Sequence, residues 1–204
     1  MARTLPPEVR KEQILKAARA VLAEKGFSQM RVSEVVERAG LSQGSFYLHF
    51  PSKDAVVAEL VQNMVLDAIA LVEEAITPDQ DIEASLRATV SSYYKVCFRY
   101  RDVLEATAGG VAASMDWARW NELYRPLNEF MLDLARRWQA RGEIRADVDP
   151  NIVSWLVIDT VSGAVERLFG HSGNRVSDDY ETFVIDWVLS ALRNLQIPPA
   201  KTRA

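Results

Sequence analysis

The sequence predicts an all-α protein. Apolar residues recur at helical spacing through nearly the whole chain. No stretch alternates in the manner of a half-buried strand or carries an Asn-Gly hairpin signal. With 204 residues, 49% hydrophobic and 25% charged, the chain can bury the core of one or two globular domains. It contains no internal repeat and no low-complexity tract.

The first helix follows Pro6-Pro7, keeps Ile14, Ala17, Ala18, Val21 and Leu22 on one face, and is stopped by Gly26. A shorter second helix carries Val32, Val35, Val36 and Ala39 and ends at Gly40. Ser42 is placed to cap a third, which Pro51 breaks, and Ser52 to cap a long fourth through Val56, Val57, Leu60, Met64, Ile69 and Val72 to Thr77-Pro78. Further helices are expected over 81–100, 102–113, 116–141, 150–170 and 178–196. Gly109-Gly110, Arg141-Gly142-Glu143 and the Gly170 to Asn174 run form the joints. Residues 197–204 lack an apolar face and are expected to fray.

A net charge of −4 and a pI near 5.3 argue, taken alone, against a polyanionic partner. The total hides an asymmetry. Residues 1–54 hold nine Lys and Arg against six Asp and Glu, while the remainder holds 15 against 22, so a basic head precedes an acidic body. The single cysteine, Cys97, excludes an intramolecular disulfide and reads as a packed core thiol. The N-terminus has no apolar leader and no later stretch reads as long enough to span a bilayer, so a soluble, cytoplasmic protein with no membrane partner is expected.

The stretch LSQGSFYLHFPSK, Leu41 to Lys53, crowds aromatics, a histidine, glycine and small polar residues together. A helix-turn-helix needs such a segment, packed on one side and pressed against DNA on the other. Leu41, Phe46 and Phe50 can pack inward, leaving Gln43, Gly44 and Ser45 beside Ser42 to meet base edges. Tyr47, His49 and Lys53 suit phosphates.

The run AGLSQGSFYLHFPSKDAVV resembles the DNA-binding signature of the TetR family of transcriptional regulators, and the similarity extends over roughly residues 10–60, including Gly26-Phe27, Ala39-Gly40, Tyr47, Phe50 and Lys53. The resemblance implies a homodimer whose three-helix heads bind a palindromic double-stranded operator. It also implies a larger helical domain that senses a small molecule: residues 1–54 bind DNA, and residues 55–204 bind effector and dimerise. In one departure, Arg31 stands where the family usually has a Thr or Ser opening the second helix. Arg31 and Ser33 are candidate backbone contacts, and the residue that caps this helix is open. Neither a cofactor nor a metal is implied.

In the body, Tyr93, Cys97, Met115, Trp117, Trp120, Tyr124, Phe130 and Trp138 are the candidate lining of a pocket for a hydrophobic or aromatic effector. Gly109-Gly110 could form its mouth. The last two helices carry more apolar surface than one subunit readily covers. Trp155, Val161, Ala164 and Leu168, with Val184, Trp187, Ala191 and Leu195, are the candidate dimer interface. The embedded acids Glu105, Asp159, Glu166 and Asp186 read as partners of basic residues, or as recognition groups for a cationic effector. A ligand-responsive repressor fits all of this. An activator or an effector-independent regulator is the alternative, and a small helical enzyme fits least, since no paired histidines, metal-ligand cluster or supported catalytic set appears.

Overall fold

The computed structural model describes residues 6–107, 117–170 and 179–195, which form nine helices among the described residues and no strand. The chain divides into two compact units, Met1–Met64 with Tyr100–Leu123, and Val65–Arg99 with Tyr124–Ala204.

In the first unit α1 spans Pro7–Gln29, with Pro7 in its first turn and Ile14, Ala17, Ala18, Val21 and Leu22 buried. Gly26 breaks the regular helix at φ 72, ψ 169, a conformation that would strain any side chain, and a further turn continues to Gln29. Helix α2, Val32–Ala39, ends on Gly40 in the left-handed region at φ 67. Arg31 occupies its N-cap position, but a guanidinium has no acceptor to offer the first turn. The end is held from the other side: the Arg31 backbone N–H donates to Glu34 Oε2 at 3.4 Å, and Lys25 fixes Glu34 in turn.

Helix α3, Gln43–His49, is capped by Ser42, whose Oγ accepts the Ser45 N–H at 3.2 Å. Helix α4, Lys53–Ala75, is opened by Ser52, whose Oγ accepts the Ala55 N–H at 3.2 Å. Helix α4 is long and apolar enough to cross a membrane by length and composition, contrary to the sequence expectation. Much of its apolar surface is committed to protein, with Val56, Val57, Leu60, Val61 and Met64 buried, while Leu66 is exposed.

Between these elements and the second unit's α5, Ile82–Arg99, the chain turns through Thr77-Pro78. Helix α6, Arg101–Ala106, packs against α1 in the first unit. The contact is fastened by Arg19, whose Nε and Nη2 donate to the two oxygens of Asp102 at 3.0 and 2.9 Å, while its guanidinium lies 4.3 Å from the Tyr100 ring centre. The expected 102–113 helix is described only over this first part, and the Gly109-Gly110 joint lies outside the described residues.

The second unit also contains most of α7, Trp117–Ala140, together with α8, Pro150–Gly170, and α9, Tyr180–Arg193. Its core is built on Trp138, fully buried, whose indole N–H donates to Ser85 Oγ at 2.9 Å. Gly142 turns the chain after α7 at φ 75, and Gln139 Nε2 holds the connection by donating to the carbonyls of Arg145 and Val148. Helix α9 lies on α5, where Asp186 meets Arg87 at 2.8 Å and Arg193 meets Glu83 at 3.1 Å. Two of the embedded acids are thereby explained by partners: Asp186 here, and Glu105 on Arg101 at 2.7 Å. Asp159 and Glu166 are exposed.

Candidate nucleic-acid interface and effector cavity

Packing divides α3 into an inner and an outer face. Phe46 and Phe50 are buried with ring centres 5.9 Å apart, above the buried Val35 and Val36 of α2, and Leu41 is half-buried at the turn. Phe46 also meets Tyr47 edge to face at 5.3 Å, which fixes the phenol's base while leaving Tyr47 56% exposed. The outer face then consists of Gln43, Gly44, Tyr47 and Leu48, two pairs each one turn apart. Arg31, Ser33 and Ser42 are exposed beside it, and His49 is half-buried.

Two expected DNA contacts are placed differently. Ser45 is half-buried and its hydroxyl oxygen is turned against protein with no hydrogen-bond partner, because position 45 lies on the flank of α3 rather than its crest. Lys53 uses two of its three N–H donors on the carbonyls of Phe27 and Met30, at 3.0 and 3.3 Å, with its ammonium 4.3 Å from the Phe27 ring centre. It ties the start of α4 to the exit of α1. Both carbonyls lie in the turn that follows the break at Gly26, and that of Phe27 also accepts the Met30 N–H at 3.2 Å.

In the second unit a narrow apolar cavity of about 30 Å3, partly open to solvent, lies among α4, α5, α7 and α8. Ala68 and Val72 of α4 form one wall, Val90 and Tyr93 of α5 the next, with Leu127, Phe130 and Met131 of α7 and Val157, Ile158 and Val161 of α8 completing it. Thr89 and Ser162 are its remaining polar residues, and both hydroxyls are engaged: Thr89 Oγ1 donates to the Ser85 carbonyl at 2.7 Å, and Ser162 Oγ pairs with Tyr93 Oη at 3.2 Å. Burial pushes the Tyr93 phenol well above its ordinary range, so it stays neutral.

Of the expected lining residues, Tyr93 and Phe130 border this cavity. Trp138 and Cys97 are core instead. The indole is held by Ser85, and the fully buried Cys97 thiol is pushed up to about 12, chiefly by desolvation. Tyr124 is half-buried away from the lining, its phenol raised by burial, and Trp120 is half-buried in the other compact unit. Met115 and the Trp117 side chain lie outside the described residues. The sequence reading missed the aliphatic walls because Val72, Val90, Val157 and Ile158 carry the same helical spacing as ordinary core, and nothing in residue type separates the two. A second, roomier cleft of about 220 Å3 includes Arg137 and Arg141, but these cations are paired with Asp133 at 3.0 Å and Glu143 at 3.0 Å.

The proposed dimer residues also divide. Trp155 and Trp187 are exposed, together with Ile152, Leu156 and Phe183, and Ala191 is exposed nearby. Val161, Ala164 and Val184 are instead buried within the chain, Val161 in the cavity wall, and Leu168 and Leu195 are half-buried. Both sides of α8 are apolar, so composition could not say which faced outward.

A helix-turn-helix with an open outer face, on a chain whose remainder is a helical body with an apolar cavity, defines a DNA-binding transcriptional regulator. Residues 14–60 match the family described as bacterial regulatory proteins, tetR family, and residues 86–192 match the tetracyclin repressor-like C-terminal domain. The chain belongs to the TetR family of transcriptional regulators.

Relatives agree with this. The HTH-type transcriptional repressor KstR2 of Rhodococcus jostii (strain RHA1) is 26% identical over 195 residues, covering 89% of this chain and 92% of that protein. The HTH-type transcriptional regulator YvdT of Bacillus subtilis (strain 168) is 25% identical over 158 residues, covering 78% and 81%. Among solved structures, Thermus thermophilus FadR, a TetR family repressor in complex with lauroyl-CoA, has the same fold with a TM-score of 0.73 at 18% identity, covering 95% of this chain and 99% of that one.

Proposed function

We propose that the protein is a cytoplasmic homodimeric repressor that leaves a palindromic operator when a small hydrophobic or aromatic molecule enters the cavity of the body. In this reading residues 1–54 bind DNA and residues 55–204 bind effector and dimerise. The observation that carries the effector class is the cavity wall, which contains no charged side chain and whose hydroxyls are already paired. Such a wall rewards buried carbon and gives nothing back for a desolvated charge. The lauroyl-CoA bound by Thermus FadR is a precedent for an apolar chain in this fold.

Helix α4 supplies the link from effector to DNA. Its Val56 to Met64 segment is core of the first unit, and Ala68 and Val72 of the same helix wall the cavity. A ligand that displaces this wall changes the direction in which α4 carries the head. Dimerisation through the Trp155 and Phe183-Trp187 surface sets two recognition helices about 34–36 Å apart, one DNA turn, and the ligand-bound form no longer keeps that spacing. A coupling of about 1–3 kcal/mol releases DNA by roughly 5- to 150-fold, so no unfolding is required. Within the head, Gln43 and Gly44 face bases, while Arg31, Ser33, Ser42, Tyr47 and His49 meet the backbone.

Selecting an operator from random duplexes, and then titrating it with the ligands extracted from native protein, tests this reading. Release by an uncharged apolar ligand, abolished by filling the cavity with Val161→Trp while DNA binding persists, is the expected result. An effector acting undiminished on Val161→Trp would place the sensor elsewhere.

A further inference from the structure

One residue of the outer face has no role in the fold. Leu48 is 81% exposed, the highest value among the large apolar side chains of the described residues. At about 100° per residue, it lies roughly 180° from the midpoint of the buried Phe46 and Phe50, on the outermost line of α3. Gly44 precedes it by one turn on that line. A Cβ at Gly44 would meet nothing nearer than Ser42 Oγ at 3.8 Å, an ordinary contact, and its φ is not positive. Neither packing nor backbone geometry within the protein therefore requires a glycine there, although glycine weakens a helix relative to alanine.

We propose that Leu48 is a specificity determinant that reads thymine, its isobutyl group packing on the 5-methyl group in the major groove, with Gly44 leaving room for that approach. The inference rests on the reading of the head as a DNA binder. The occupant follows from continuity: Gln43 and Tyr47 lie on the same outer face, so a surface that meets their partner also meets Leu48. Base edges in the major groove are polar apart from the thymine methyl, which is the apolar group a leucine can cover there. A leucine in this position cannot compete for hydrogen bonds and so favours the base that presents carbon.

The test uses the full-length protein and the operator it selects from random duplexes. Each symmetric pair of thymines is replaced by deoxyuridine, which deletes only the methyl groups, and affinity is read by fluorescence anisotropy at fixed salt. The wild type should lose about fourfold per half-site at one thymine pair, or about fifteenfold for both, the worth of one buried carbon each. Leu48→Ala should show that loss already on the thymine duplex and no further loss on deoxyuridine, with an unchanged melting temperature. Gly44→Ala should raise the melting temperature and weaken binding to the thymine duplex. Leu48→Ala binding as wild type, or keeping the thymine-to-deoxyuridine difference, would overturn the assignment and leave DNA reading by the head intact. A wild-type protein that selects no sequence would remove both.

Discussion

Trp138 offers a direct measure of how the body is held together and a check on where the effector goes. The indole is fully buried and donates to Ser85 Oγ at 2.9 Å, while Ser85 Oγ itself donates to the Ile82 carbonyl at 3.3 Å. Trp138→Phe removes that hydrogen bond, about 1 kcal/mol, and leaves a void where the indole's second ring was, roughly 2 kcal/mol more. Ser85→Ala should cost about 1–3 kcal/mol, since it orphans a buried N–H. The double variant has neither donor nor orphan, so the two losses should fall short of additive by about 1 kcal/mol. Urea unfolding at one fixed protein concentration reads all four species, a necessary precaution if the folded state is a dimer. Because Trp138 does not line the cavity, Trp138→Phe should bind the neutral probe N-phenyl-1-naphthylamine as the wild type does. Strict additivity would show that the Ser85 bond contributes nothing, and a lost probe affinity would return the indole to the ligand site.

Phe183 and Trp187 are 73% and 57% exposed, so Phe183→Asp with Trp187→Asp should fold but sediment as monomer at micromolar concentration and lose operator affinity. A persistent dimer would move the interface elsewhere. Lys53→Met should lower stability by about 1–2 kcal/mol by stripping the donors from the α1 exit, and should leave the slope of log affinity against log salt unchanged. A slope reduced by about one would restore Lys53 to the phosphates. Cys97 is neutral until pH approaches about 12 in the folded chain, against 9.0 for a free thiol, so folding gains stability from the neutral thiol below pH 9 and loses it as pH rises from there toward 12. At pH 8 its reaction with Ellman's reagent should be slower by about three orders of magnitude than in urea, and fast labelling of native protein would contradict the burial.

The head was legible because its signals are local. Gly26 and Gly40 at positive φ, the Ser42 and Ser52 caps and the Phe46/Phe50 spacing each depend on residues within a turn of one another. Helix limits in the body were legible for the same reason: 81–100 became Ile82–Arg99, and 116–141 became Trp117–Ala140. The sites were less so. The sequence reads Lys53 as a phosphate contact because nothing in LSQGSFYLHFPSK reveals that carbonyls 23 and 26 residues earlier claim its ammonium. Residue type places Trp138 in the pocket because indoles suit ligands, yet a serine 53 residues away satisfies it. Long-range partners decide which polar and aromatic groups stay available, and single-sequence spacing does not contain them.

Helix α8 shows how such an ambiguity can itself be informative. Its sequence is apolar nearly all round, the pattern of a helix buried on every side. In the chain Val153, Val157, Val161 and Val165 are buried on one side, two of them in the cavity wall, while Ile152, Trp155 and Leu156 remain exposed on the other. Helix α9 repeats the division, with Val184, Val188 and Leu192 inside and Phe183 and Trp187 outside. A single exposed leucine needs no explanation, but two tryptophans and a phenylalanine left in water on two such helices do. The proposed dimer accounts for them by completing the burial that the composition implies. It also gives α8 a ligand cavity on one side and a partner on the other. A bound effector would then press on the interface through Val157 and Val161, so effector and dimer affinity should rise or fall together, by the same factor in each direction.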